Sequence, residues 1–415
     1  MFGGAPGGFD VGDKSVVAVT TDYCFNVVLK STLSTEQLPS WFLAFSQNPI
    51  VYNCMSYAVG VYQESTGIAT PKVEQQTLVH KGRTIHLVNQ ALPDLQQADL
   101  EAVMLGIFVL WRCNFTKASP HETLLFRPYI PEANLITEFG KFDAIDAHAN
   151  ALHWLIDKAG GIDNIKLPGL KLILSNGDLL ESTARCTKPR LPCMWEDHFA
   201  TLDNLLPSPS STVLATGFSR SVPGGLPELA KTTLERMKKL DLLLDMSHHR
   251  RLDDALFTSL MATRNTIQHE ILALPKWQEL NEEERQGSQF ATYETCRITA
   301  LMYANAVLFP MPPSTGWHLK LLDELRQLLQ MTNLVAWRQD TSALLTWSLT
   351  IASIAAFRTV HRRYFRDTLK TVLLEAQVKT WSAMESRLKL FLWTNSACGI
   401  GGDVLWESLG MDGFG

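Results

Sequence analysis

TSALLTWSLTIASIAAF, residues Thr341 to Phe357, carries no charge, and its apolar residues run all the way round a helical wheel. That is the pattern of a helix covered on every side. A bilayer-spanning helix needs ~20 apolar residues. Here Thr346, Ser348, Thr350 and Ser353 interrupt the run, and Asp340 and Arg358 close it off. The stretch therefore reads as the central helix of a large soluble bundle rather than a membrane span.

Working outward, the chain of 415 residues is long enough for one large domain or two ordinary ones. Apolar residues make up 46% and charged residues 19%, which is globular rather than disordered. With 37 basic against 42 acidic residues the net charge is −5, without the basic excess of a body that holds nucleic acid. The seven cysteines, Cys24, Cys54, Cys113, Cys186, Cys193, Cys296 and Cys398, are odd in number, widely spaced and form no C-x-x-C. This argues against a disulfide framework and a paired-cysteine zinc site, and for a reducing compartment. The start, MFGGAPGGFDVGD, has neither the basic nor the apolar region of a signal peptide.

Residues 1–37 are Gly-rich and then weakly strand-like over Ser15–Thr21 and Tyr23–Leu29, as expected of a flexible N-terminal arm. From Leu38 the pattern is helical. One face is expected at Ile50, Cys54, Met55, Ala58, Val59 and Tyr62, another at Leu78, Ile85, Val88 and Leu92, and a third at Leu100, Val103, Met104, Ile107, Leu110 and Trp111. Phe142 to Ala159 is a further helix, ended by Gly160-Gly161 because glycine tolerates the left-handed conformation common there. Leu170 to Cys186 is the next, stopping before Pro189 and Pro192.

The stretch 204–227, rich in Pro, Ser and Gly, reads as a linker between a first helical half, 38–203, and a second, 228–410. In the second half the stripes are Ala230, Leu234, Met237, Asp241 or Leu240, and Leu244; then Leu252, Leu256, Leu260 and Ile267; then Tyr293, Cys296, Ala300, Tyr303 and Val307. Leu322, Leu325 and Leu329 follow, then the buried helix, Tyr364 to Ala376, and finally Trp381, Met384, Leu388 and Phe391. The fold class expected is all-α, a large multi-helix bundle or stack in two halves around a buried central helix.

Chemistry is mostly absent. Asp253-Asp254 invites a magnesium–diphosphate reading, but Phe257 and Thr258 stand where further carboxylates are needed, so a solvated helix end is preferred. His248-His249 are adjacent, lack the spacing that brings two ligands together, and read as a polar turn. Cys186 and Cys193 read as two buried or half-buried thiols. His361 to Arg366, HRRYFR, mixes basic and aromatic residues as single-strand binders do, yet an amphipathic helix accounts for it. Trp111, Trp347, Trp381, Trp393 and Trp406 lie on or beside apolar stripes and read as core. No catalytic, cofactor-binding or metal-ligating residue is assigned.

The order of landmarks is nonetheless distinctive. His148, Leu152, Gly160-Gly161-Ile162, Leu170, Asp178, Ala184 and Lys188-Pro189-Arg190-Leu191-Pro192 resemble the middle, regulatory region of fungal zinc-cluster transcription factors. Cys296-Arg297, Ala300-Leu301-Met302-Tyr303, Leu344-Leu345-Thr346-Trp347, Ala352 to Ala356, Trp381, Leu388, Phe391-Leu392-Trp393 and Leu405-Trp406 continue the likeness, which spans roughly 40–410. Its landmarks are His148, Gly160, Gly161, Asp178, Pro189, Trp347, Trp381, Trp393 and Trp406. Family members carry an N-terminal zinc cluster held by cysteines, which is missing here.

The resemblance implies a fungal, nuclear regulator of RNA polymerase II transcription, with the cytoplasm as an alternative location. It implies no cofactor and no membrane. Expected partners are other transcription-factor subunits or co-regulators and a small-molecule effector, with DNA reached only indirectly or through a missing N-terminal domain. The alternatives are a non-DNA-binding interaction or inhibitor protein of the same fold, and, further off, a helical enzyme.

Overall fold

Every described element is helical, as the periodicity predicts, and no strand occurs among the described residues. The structure, a computed structural model, describes residues 22, 36–96, 99–113, 124–130, 146–206, 217–220, 225–249, 253–285, 289–332 and 334–411, with backbone alone at 219–220, 249 and 334–341. The strand-like segments expected near the N-terminus, residues 142–145 and Leu252 lie outside them. Two units are distinguished. The first comprises Met1–Ser119 and Thr137–Glu181, the second Pro120–Ile136 and Ser182–Gly415.

The first unit holds α1 (Leu38–Gln47), α2 (Pro49–Ser65), α3 (Pro71–Ala91), α4 (Leu100–Arg112), α5 (Asp146–Lys158) and most of α6 (Leu170–Arg185). Local chemistry sets the starts. Asn48 accepts from Ile50 N–H at 2.9 Å with Pro49 behind it, and Thr70 accepts from Val73 N–H at 3.4 Å ahead of Pro71. Gly160 ends the α5 segment at φ +82°, with the Gly161 N–H donating to Ile156 O at 2.9 Å.

One expected stripe is corrected. Of Leu78, Ile85, Val88 and Leu92 only Val88 is buried, and α3 turns Thr77, His80, Thr84 and Val88 inward instead. The cause is close approach. A Cβ on Gly60 of α2 would lie 2.1 Å from Thr77 Oγ1, and one on Gly106 of α4 would lie 2.8 Å from Val88. Small residues admit a small polar face more closely than a leucine row. That face is satisfied: Thr77 and Thr84 donate to Val73 O and His80 O, each at 2.8 Å.

The second unit contains α7 (Phe199–Asp203), α8 (Gly217–Arg220), α9 (Glu228–His249), α10 (Asp254–Ala273), α11 (Glu282–Arg285), α12 (Phe290–Tyr303), a π turn (Ala304–Leu308), α13 (Trp317–Met331), α14 (Leu334–Ala355), α15 (Arg362–Glu375), α16 (Trp381–Leu388) and α17 (Asn395–Leu409). α14 contains all but the last two residues of the stretch Thr341–Phe357, and α12, α13, α15, α16 and α17 pack on it. Leu344, Leu345, Trp347, Leu349, Ile351 and Ala352 are all fully buried. Its hydroxyls are buried too. Thr346 and Thr350 turn theirs back on the helix, donating to Ser342 O at 2.7 Å and Thr346 O at 2.5 Å, so threonine is tolerated inside. No described helix is long and apolar enough to cross a membrane.

The stretch expected as a linker reaches this core. Within 204–227, α8 places Phe218 against Trp347 and Phe391, and the Gly217 N–H donates to Leu390 O at 2.5 Å. Residues 207–216 and 221–224 lie outside the described residues.

Candidate functional site

The landmark residues fall into separate places. In the first unit His148 is half-buried on α5, its imidazole pushed down in pKa chiefly by burial and then by Lys81. Asp178 is buried on α6, 3.7 Å from His153 Nε2. In the second unit Pro189 is buried beyond the end of α6. The indole N–H of Trp347 donates to Leu392 O at 2.8 Å, and its ring stacks on Phe391 at 5.2 Å between centroids. Trp381 is brought together with Trp393 and Trp406, at 6.1 and 6.0 Å. The contacts of Trp347, Trp381, Trp393 and Trp406 are packing contacts.

The other sequence candidates resolve in the same way. Asp253 caps α10, accepting from Leu256 N–H at 2.7 Å. The polar turn expected at His248-His249 is instead the last turn of α9, because the helix runs on past Asp245. Cys186 and Cys193 are half-buried, as expected. In HRRYFR, Phe365 is buried while Arg362 and Arg363 are exposed on α15, the amphipathic arrangement expected. No group of three or more potential metal ligands occurs among the described residues.

Two buried polar clusters, neither singled out by the sequence, mark the interior of the second unit. The first centres on Asp241, which the apolar stripe of α9 turns inward. Its Oδ1 accepts from Tyr303 Oη at 2.7 Å and Tyr129 Oη at 3.0 Å, while Tyr129 also bonds Thr394. Its Oδ2 has no hydrogen-bond partner among the described residues. Burial raises the carboxyl pKa against the opposing pull of Lys238, and burial lowers that of Lys238, itself enclosed one turn back on the same helix.

The second cluster centres on Arg264 of α10, which is 1% exposed. Its Nε and Nη2 donate to Asn265 Oδ1 at 3.2 and 2.9 Å, and its guanidinium lies over the Phe309 ring at 5.0 Å. Nη1 has no partner. One turn on, Gln268 Nε2 donates to Asn305 Oδ1 at 2.9 Å and Thr183 Oγ1 at 3.2 Å, and Gln268 Oε1 has no hydrogen-bond partner among the described residues. Asn305 in turn donates to Thr183 O at 3.2 Å from within the π turn. A signal for Arg264 was present in the sequence, since it follows Leu260 by four and precedes Ile267 by three, on the inward face.

The Cys398 thiol lies beside Asp241 and Tyr303 of the first cluster, and burial and then the Asp241 carboxylate raise its pKa. Burial pushes the Cys186 thiol up to about 12 and also raises those of Cys296 and Cys398, holding all three in their unreactive protonated form. Among the described residues, both clusters contain a buried polar side-chain atom without a hydrogen-bond partner.

Compared with known families, residues 228–389 match the fungal specific transcription factor domain, a transcription-factor family rather than an enzyme family. The matched span includes Asp241, Arg264, Trp347 and Trp381. No curated protein and no solved structure matches the chain.

Proposed function

We propose that this chain, with the fungal specific transcription factor domain in its second half, is a fungal transcriptional regulator. The helical body carries the regulatory work in the nucleus, on RNA polymerase II transcription. The observation that supports this reading is the family match at 228–389 over the packed helices α9 to α16. The net charge of −5 fits DNA contact made by a partner subunit or by a zinc-cluster segment outside this sequence.

Regulation follows from population shift. A small effector that binds one arrangement of the helices better than another moves the equilibrium by that difference in affinity. Deleting the gene and comparing transcripts tests the reading. A confined set of genes should change expression several-fold, and an unchanged transcript profile across growth conditions would sink it.

A further inference from the structure

A buried guanidinium without a counter-charge is costly. Arg264 is 1% exposed, has burial as the one cause acting on its pKa, and has no carboxylate in ion-pair reach among the described residues. Burial pushes it down to about 9, so it stays protonated at neutral pH. Asn265 supplies a dipole and Phe309 a ring face, but neither cancels the charge. A buried charge persists where it is paired.

We propose that Arg264 is the recognition group of a buried site for a small organic monocarboxylate that also bears a hydrogen-bond donor. The carboxylate meets the unbonded Nη1, and the donor meets the unbonded Oε1 of Gln268, one turn along the same face of α10. One net positive charge, with no second cation acting on it among the described residues, matches a monoanion. A phosphate dianion would leave an excess negative charge in the interior. The π turn Ala304–Leu308, all of whose residues are buried, supplies Asn305 to Gln268 and leads to Phe309 over Arg264. Such turns break the regular helical ladder and gather at functional sites. The effector's chemistry rests on the regulator reading for its consequence, though binding itself does not.

The test is thermal unfolding of the full chain titrated with sodium lactate, a minimal carboxylate with a hydroxyl donor. Sodium propionate and sodium chloride at equal ionic strength are the comparisons. Lactate should raise the Tm of the wild type by about 3 °C at a hundredfold excess over Kd, and propionate by less. Arg264→Met should show the chloride response alone. Arg264→Lys, which keeps the charge and loses the planar fork, should need at least about tenfold more lactate, and it serves if the Met variant does not fold. Equal responses in wild type and variants, or a wild type that answers lactate as it answers chloride, overturn the site and leave the cluster hydrated by water. Transcripts report separately. A lactate response with an unchanged deletion profile keeps the site and removes the regulator reading.

Discussion

Tyr303 donates a 2.7 Å hydrogen bond from α12 to Oδ1 of Asp241 on α9, and both residues are fully buried. The same oxygen also takes the hydroxyl of Tyr129, so one carboxylate serves two donors from distant parts of the chain. Removing the acceptor strands both. Asp241→Ala should cost about 2–4 kcal/mol, since each buried hydroxyl left unsatisfied costs roughly 1–3 kcal/mol and Tyr129 keeps Thr394. Asp241→Asn retains the acceptor and should cost less than Asp241→Ala, its remaining cost being the loss of the charge that faces buried Lys238. Urea unfolding of the three proteins checks this; an Ala variant as stable as wild type would remove Asp241 from the core's supports.

His80 should make the first unit acid-sensitive. Burial, and then Arg83, lowers its pKa to about 4, and its Nδ1 meets Asn53 Oδ1 at 2.9 Å, so the neutral ring carries its proton on Nδ1. The unfolded imidazole takes up a proton below about 6.5, while the folded one resists until about 4. Stability is therefore lost as pH falls between those values, by about 2 kcal/mol at pH 5 and about 3 kcal/mol at the lower end. His80→Gln keeps a side-chain donor for Asn53 and should remove this slope. Hydrogen exchange of the α3 amides at pH 7 and 5 reads it, and identical slopes in both proteins would refute the assignment.

Much of this interior was legible in the sequence, for a physical reason. A stretch such as Leu344–Ala356 has no polar side, so it must be covered on all of them, and its threonines satisfy themselves on their own helix. The inward face of α3 was not legible, because the deciding contact is between Thr77 and the missing side chain of Gly60, an element away. The Asp241 and Arg264 clusters failed for a related reason. A charged residue on an apolar stripe reads as an interruption until its partners are known, and Tyr129, Thr183 and Asn305 are remote in sequence. Phe218 was hidden by composition, since a Pro/Ser/Gly-rich neighbourhood reads as linker whatever one aromatic ring does.

Gly160 should resist substitution at the end of α5. Its φ of +82° is one that a side chain rarely adopts, and a Cβ there would come within 2.7 Å of Asn164 Nδ2. That amide is already engaged, donating to Gly160 O at 2.8 Å. Gly160→Ala should cost about 1–2 kcal/mol, seen as a Tm lowered by a few degrees. No loss would mean that the turn relaxes to another conformation.

Two glycines three residues apart in α17 should answer the same substitution with opposite signs. A Cβ on Gly402 would lie 2.5 Å from Trp381 and 3.0 Å from Trp393, inside the tryptophan cluster. Alanine gains up to about 1 kcal/mol of helix propensity there but forces large rings apart, at roughly 1–3 kcal/mol. Trp381 is half-buried and is the ring able to swing outward, so Gly402→Ala should lower Tm and shift tryptophan emission to the red. At Gly399 the nearest atom to a Cβ is Asn395 Cβ at 3.9 Å, ordinary contact, so propensity acts unopposed and Gly399→Ala should raise stability by up to about 1 kcal/mol. If both variants gain stability, the tryptophans are packed loosely enough to yield, and the cluster does not fix the placement of α17.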